Sequence, residues 1–407
     1  MQEVIKKIIQ KNDTKIVFCV LDGLGGLTKD GKTELETAST PNLDALAGEG
    51  ATGLHMPVAV GITPGSGAAH LGLFGYDPLK YEIGRGVLEA LGLGLVVGPN
   101  DIAIRGNFAT VKYEGDTPIV TDRRAGRIPT QENIRIVRRI TEKIKEIDGV
   151  KVNVTSGMEH RVAVILTFPE PVPAGGDDID DTDPQLEGKS PVRPHGNNPE
   201  AEKVAAVVAK FIDEAAKVIR DEERANYMLL RGFAVHPNLT PYSEAYGLNA
   251  ACIATYPMYR GVAKLVGMEV LEVEDMTIKS EVETLKRDFD KHDFFFLHVK
   301  KTDSYGEDGN FGAKAGVIEE FDSLVPEIVA LKPDVLVVTG DHSTPARMKS
   351  HSWHPVPILI SSKYTQGGGE GGFGEGACRR GELGTFRAAD LMTLVLAHAG
   401  RLQKYGA

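Results

Sequence analysis

Three short apolar runs in this chain stop on side chains that seek metal ions. Ile16-Val-Phe-Cys-Val-Leu leads into Asp22-Gly23. Phe294-Phe-Phe-Leu-His-Val leads through Lys300, Lys301 and Thr302 to Asp303. Val335-Leu-Val-Val-Thr-Gly leads into Asp341-His342, with His351 soon after. A Gly-rich loop, Thr63-Pro-Gly-Ser66-Gly-Ala-Ala-His70, adds a serine. Runs of this length and composition read as strands. In an open α/β sheet, ligands bind beyond the carboxyl ends of the strands, so residues far apart in sequence meet there. The pattern predicts an α/β fold whose strand ends gather Asp22, Ser66, Asp303, Asp341, His342 and His351. That set reads as a two-metal site with a serine nucleophile.

The same alternation sets the expected domain plan. Strand and helix signals alternate from about 15 to 110 and again from Tyr227. A helix is expected over 42–48, after Thr40-Pro41, with Pro early in its first turn. Residues 87–95 (VLEALGLGL) are apolar but interrupted by glycines and receive no assignment. The middle of the chain differs. Apolar residues at 134, 136, 137, 140, 144 and 147 give a helical period over 132–147. Residues 151–154 and 161–168 read as strands, and 173–198, rich in Pro, Gly and Asp, as a long surface loop. A helix is expected from Asn198-Pro199-Glu200, which supplies an N-cap, an N1 proline and an early acid. Further strands are expected at 227–235, 250–255, 294–299, 335–339 and 356–360. Residues 366–376 read as a Gly-rich surface loop. The simplest architecture is a discontinuous α/β domain (1–110 and 250–407) interrupted by a smaller α/β domain (111–249).

Each motif has a bland reading beside its functional one. Asp22 in isolation is a turn former, and Gly23-Leu-Gly-Gly26 lacks the full dinucleotide pattern. Ser66 sits between glycines that let the backbone approach an anion, and a following helix would aim its first N–H groups there. Its surroundings do not match the G-x-S-x-G hydrolase elbow. Acids are plentiful nearby, so activation of the hydroxyl by a metal is the favoured route. Asp303 and Glu307 share a face if that stretch is helical. His351 and His354 both qualify as ligands, and spacing alone does not choose between them. The run Asp122-Arg123-Arg124-Ala-Gly-Arg127, with Arg105, His160, Arg161, Arg231 and Arg260, offers guanidinium forks suited to phosphate or carboxylate.

Composition removes other classes. A net charge of −11 argues against general nucleic-acid binding. No run reaches the roughly 18 apolar residues of a membrane helix, and the N-terminal segment reads as a short amphipathic helix rather than a signal peptide. Three scattered cysteines form neither a disulfide framework nor a thiolate metal site. A cytoplasmic protein is expected.

Taken with Phe74-Gly-Tyr-Asp77-Pro78, Gly84-Arg-Gly86, Tyr256-Pro-Met-Tyr-Arg-Gly261 and Gly340-Asp341-His342-Ser343, these motifs resemble those of the archaeal-type, 2,3-bisphosphoglycerate-independent phosphoglycerate mutases. That family lies in the alkaline phosphatase superfamily, and the likeness runs from about 15 to 400. It implies a sandwich with helices around a mostly parallel central sheet. It implies an isomerase that interconverts 3-phosphoglycerate and 2-phosphoglycerate through a phosphoserine at Ser66, without 2,3-bisphosphoglycerate. Two divalent ions are implied, manganese first, with zinc or magnesium as alternatives. Asp22, Ser66, Asp341 and His342 would hold one, and Asp303, Glu307 and His351 the other. Arg124, Arg127, Arg231 and Arg260, with His160 and Arg161, would bind the substrate. Many relatives carry His where this chain has Glu307, a harder ligand that favours manganese or magnesium over zinc. The remaining alternatives are a phosphatase, a phosphopentomutase or a homoserine-kinase-like enzyme on the same scaffold, or a non-catalytic metal- or phosphate-binding relative.

Overall fold

The computed structural model of the chain describes residues 2–367 and 371–406, so 368–370 of the expected Gly-rich loop lie outside the described residues. The chain divides into two bodies, one of Met1–Glu82 with Leu239–Ala407, the other of Ile83–Asn238. The first body opens with β1 (Ile16–Leu21) and β2 (Ala51–Met56). Between them lies the helix Pro41–Glu49, with Pro at its first position as the sequence requires. The helix Ser66–Leu73 follows β2.

The second body is built from β3 (Asp101–Glu114), β4 (Thr117–Asp122), β5 (Glu146–Ile147), β6 (Val150–Ser156), β7 (Arg161–Thr167) and β8 (Tyr227–Val235). All its strand pairings are antiparallel, in the order β4-β3-β7-β6-β5, with β8 also on β3. The helices Thr130–Lys143 and Pro199–Ile219 cover it. The second starts as expected, with the Asn198 carboxamide accepting from the N–H groups of Glu200 and Ala201.

The chain re-enters the first body with β9 (Ala250–Ala254), β10 (Glu269–Val270), β11 (Phe294–Val299), β12 (Val335–Thr339), β13 (Val356–Ser362) and β14 (Gly384–Arg387). The eight-stranded sheet runs β10-β9-β11-β1-β12-β13-β2-β14. It is parallel except where β13 pairs with β12 and β2. Strands β1, β9, β11 and β12 are buried along their whole length. That is why they read as unbroken apolar runs, and each fully buried Phe of β11 contributes about 1.5–3 kcal/mol. No helix among the described residues is long and apolar enough to cross a membrane.

Two expectations shift. The bodies meet at 82/83 and 238/239, not at 110 and 250. The cause lies in the unassigned stretch: Arg85–Gly92 is a helix, and Gly86 lets its backbone lie against that of Ala103 in β3. Strand β8 pairs with β3 inside the inserted body, within the expected bounds of that domain, although it opens the stretch where strand and helix signals resume. The helix expected to 147 ends at Lys143; Ile144 and Ile147 keep the apolar phase and are buried, but Ile147 lies in β5.

A Cβ at Gly86 would come within 2.0 Å of the Ala103 carbonyl oxygen, whereas one at Gly92, on the same helix, meets nothing within 4 Å. Chemical denaturation should find Gly86→Ala destabilised by about 1–3 kcal/mol, the usual cost of overpacking. Gly92→Ala should be neutral or stabilised by up to about 1 kcal/mol.

Candidate metal centre and anion-binding cluster

Strands β1, β11 and β12 lie side by side and parallel, so their carboxyl ends fall at one edge of the sheet. Asp22 follows β1, Asp341 and His342 follow β12, and Asp303 sits in the helix Lys301–Glu307 just after β11. Asp22, Asp341 and His342 are fully buried, and Asp303 nearly so. Gly23, at φ 63°, turns the chain away from Asp22; a side chain there would strike Thr344 and Asp303.

The donors divide into anchored and free atoms. Asp22 Oδ2 accepts from the Tyr259 hydroxyl at 2.5 Å and from Lys300 Nζ at 2.9 Å. Asp341 Oδ1 accepts from the Gly23 N–H at 2.9 Å. Asp303 Oδ1 accepts from the Thr344 hydroxyl at 2.6 Å, and its Oδ2 from Lys300 Nζ at 2.6 Å. Asp22 Oδ1, Asp341 Oδ2 and His342 Nε2 are buried and have no hydrogen-bond partner. These three lie together: His342 Nε2 is 3.4 Å from Asp22 Oδ1 and 3.1 Å from Asp341 Oδ2. Three unpaired buried acceptors at one point form a donor set suited to a cation.

The histidine tautomers follow from their other nitrogens. Thr344 gives its one hydroxyl proton to Asp303, so at 2.9 Å it accepts from His342 Nδ1–H. His342 Nε2 then carries the lone pair, the arrangement a metal-ligating imidazole needs. His351 Nδ1 donates to the Pro64 carbonyl at 3.0 Å, which can only accept, so in the neutral ring Nε2 is the bare nitrogen. That atom lies 3.5 Å from Asp303 Oδ1. The ligand atoms of Asp22, Asp341 and His342 form one group within 4.8 Å of one another, and those of Asp303, His342 and His351 a second. His342 is thus common to both. Glu307 stands outside both groups, its exposed carboxylate 3.8 Å from His351 Nε2. His354 instead bonds Ser352.

Burial sets the electrostatics. It raises the Asp341 carboxyl to about 7, helped by the Asp22 charge. Burial would raise Asp22 too, but the contacts with His298 and Lys300 outweigh it and hold that carboxyl well below its usual range. Burial lowers His342 and His70 to about 4, so both imidazoles are neutral. For Lys300, burial is outweighed by Asp22 and Asp303, which raise it above the usual lysine value.

Ser66 opens its helix after Gly65, where the first-turn N–H groups are free to meet an anion. Two histidines tie this loop to the acids. His70 Nδ1 reaches the Ser66 carbonyl at 2.8 Å and lies 3.3 Å from Asp341 Oδ2, while His351 holds Pro64. His70, His298 and Tyr259 carried no assignment from the sequence. His298 lies inside β11 and Tyr259 on the helix Pro257–Leu265, positions that read as core.

The inserted body holds a separate basic cluster. Arg161, Arg124 and Arg127 lie close enough to His160 that, with burial, they lower its pKa. Arg231, Arg161 and Arg85 act likewise on Arg105. Arg105 Nε is paired with the Glu89 carboxylate at 3.2 Å, whereas Arg231, 4.0 Å from Asp183 through Nη1, has a buried Nε without a hydrogen-bond partner. Arg124 and Arg127 are exposed on a turn in which Ala125, Gly126 and Arg127 all have positive φ. The Asp122 carboxylate holds that turn by accepting from the N–H groups of Arg124 and Gly126, both at 2.7 Å. A non-Gly residue in this conformation costs about 1 kcal/mol or more, so the turn is maintained against strain. Arg123, from the same run, is not free: it forms a two-pronged pair with Asp183 at 2.7 Å and 2.7 Å. Arg260 lies outside this cluster, in the first body, and is paired with Glu272 at 2.7 Å.

Fold and donor groups together define an α/β protein with an acid–histidine centre of metal-binding type at its strand ends. A family model described as 2,3-bisphosphoglycerate-independent phosphoglycerate mutase matches residues 47–225. A probable 2,3-bisphosphoglycerate-independent phosphoglycerate mutase of Aquifex aeolicus is 58% identical over 406 residues, covering 100% of both chains. One from Thermotoga maritima is 51% identical, covering 100% of this chain and 99% of its own. The solved cofactor-independent phosphoglycerate mutase of Thermoplasma acidophilum superposes with a TM-score of 0.79 at 29% identity, over 95% of this chain and 100% of that one. The chain belongs to the 2,3-bisphosphoglycerate-independent phosphoglycerate mutase family of isomerases.

The Arg123–Asp183 pair pins the 173–198 segment, in which Thr182 and Asp183 are buried. Asp183→Asn keeps the shape and removes the charge-assisted bonds, at a cost of about 1.5–3 kcal/mol. Limited proteolysis under native conditions should then cleave within 173–198 faster than in the parent protein.

Proposed function

We propose that this chain interconverts 3-phosphoglycerate and 2-phosphoglycerate, without 2,3-bisphosphoglycerate, through a phosphoserine at Ser66 and with two divalent ions. One observation carries the proposal: Asp22 Oδ1, Asp341 Oδ2 and His342 Nε2 converge unpartnered, in a cluster that His70 ties to the helix start bearing Ser66. Asp22, Asp341 and His342, with the Ser66 hydroxyl, would hold one ion. Asp303 and His351 would hold the other, sharing His342 or taking Glu307. Bound there, the ions would favour the Ser66 alkoxide and neutralise phosphate oxygens.

The chain's own groups supply the rest. Ser66 gives up its hydroxyl proton and its Oγ forms a bond to phosphorus as the bond to the glycerate oxygen breaks; the leaving oxygen takes up one proton, so none is gained or lost overall. The first-turn N–H groups of the Ser66 helix and the Lys300 ammonium stabilise charge on the transferring phosphoryl group. Glycerate then returns its other hydroxyl to the phosphoserine, and the same groups act a second time. Arg124, Arg127, Arg161 and Arg231, with His160, are assigned to the anionic ends of the substrate. Arg260 has a weaker claim because Glu272 occupies its guanidinium. Exclusion of water, which separates a mutase from a phosphatase, is assigned to the inserted body. Manganese is the preferred ion, since oxygen donors predominate and Glu307 is a hard ligand. The cytoplasm is the expected compartment.

The purified protein, given 3-phosphoglycerate and Mn2+ with enolase as the coupling enzyme, should form 2-phosphoglycerate with no bisphosphoglycerate added. Ser66→Ala should lower that rate by about 10⁴-fold or more. Release of inorganic phosphate without 2-phosphoglycerate would point to a phosphatase, and no turnover with any divalent ion would falsify the proposal.

A further inference from the structure

Lys314 lies in the first turns of the helix Phe311–Val329 and is fully buried. It touches none of the acids of the metal centre by hydrogen bond. Its Nζ donates instead to three main-chain carbonyls: Gly23 at 2.8 Å, Thr344 at 2.9 Å and Gly25 at 3.0 Å. Carbonyl oxygens only accept, and a neutral amine has only two N–H groups. Three acceptors in contact therefore require the ammonium form, with all three donors used. Burial lowers the Lys314 pKa; buried Glu34 and Glu375, held by the backbone N–H groups of Ala346 and Gly26, oppose it, and the three-acceptor geometry is what calls for the ammonium.

The three carbonyls belong to the two segments that carry the acid–histidine centre. Gly23 and Gly25 form the turn that begins at Asp22. Thr344 follows His342 by two residues, and its hydroxyl spans Asp303 and His342. The Thr344 N–H lies between the same carbonyls, 3.2 Å from Gly23 and 3.0 Å from Gly25. One ammonium thus crosslinks the β1 turn to the β12 turn through backbone atoms alone.

We propose that Lys314 is a positioning residue that acts as a tethered monovalent cation. It holds the Asp22 turn against the 342–344 segment and sets the spacing of Asp22, Asp303, Asp341 and His342 before a divalent ion arrives. The inference rests on the metal reading given above.

The test uses the full chain, stripped with chelator, as Lys314→Ala and as Lys314→Met. The alanine variant leaves a cavity lined by three carbonyl oxygens, which suits K⁺ or methylammonium. The methionine variant fills the space without the charge and guards against loss of fold, which circular dichroism would show. Mn2+ binding is followed by its electron paramagnetic resonance signal. Both variants should bind Mn2+ about 10–100-fold more weakly than the parent, as outer-sphere substitutions do. K⁺ or methylammonium should restore binding by Lys314→Ala, tetramethylammonium should not, and the parent should respond to none of them. Parental Mn2+ affinity in the methionine variant, or a weakened alanine variant that no small cation rescues, overturns the proposal. Hydrogen exchange at the Thr344 amide in metal-free protein reads the crosslink independently: it should speed in Lys314→Met. If the parent binds no Mn2+, the metal reading fails, and unchanged exchange at Thr344 would then overturn the crosslink as well.

Discussion

Negative charge buried at the ends of parallel strands is the constraint on which this molecule depends. Asp22 and Asp341 have no exposure to solvent and lie on adjacent strand ends, with Asp303 beside them. Carboxylates so placed cost several kcal/mol each unless they are paired or neutralised. The protein anchors one oxygen of Asp22 and one of Asp341 and leaves the other bare. Tyr259 and Lys300 anchor Asp22, the Gly23 N–H anchors Asp341, and Thr344 and Lys300 hold Asp303. The bare atoms meet a neutral imidazole whose tautomer is set by Thr344. A cation at the centre would neutralise that charge, which makes the fold and the site one problem.

The two bodies divide the electrostatic work. The acids and histidines lie in the first, and the arginines available to an anion in the second. An overall charge of −11 therefore coexists with a local basic cluster. The strained turn at 125–127 shows that this cluster has a cost. Asp122 holds three consecutive left-handed residues so that Arg124 and Arg127 remain exposed, while Arg123, within the same run, is given to structure.

Much of this was legible in the sequence because strands buried on both faces read as apolar runs, and a charged residue that ends such a run stands out. Asp22, Asp341 and His342 were found that way. The supports were hidden for the same reason in reverse. His298 and Tyr259 sit within apolar segments, where a polar residue reads as an ordinary member of the core. Lys314 sits on a helix, where lysine reads as solvated surface. Sharing of His342 between the two donor groups depends on its ring position, which no spacing reveals. The sequence puts the break between bodies near 110 because the glycines of 84–94 mask a helix; Gly86 brings that helix onto β3. Arg260 matched the family motif but lies in the other body, a distinction that appears only in three dimensions.

Anomalous diffraction from Mn2+-loaded crystals tests the central claim most directly. Two peaks should appear, about 4 Å apart as in other two-metal sites. One should lie among Asp22 Oδ1, Asp341 Oδ2 and His342 Nε2, the other beside Asp303 and His351. A crystal saturated with Mn2+ that shows no peak at Asp22, Asp341 and His342 would contradict the account.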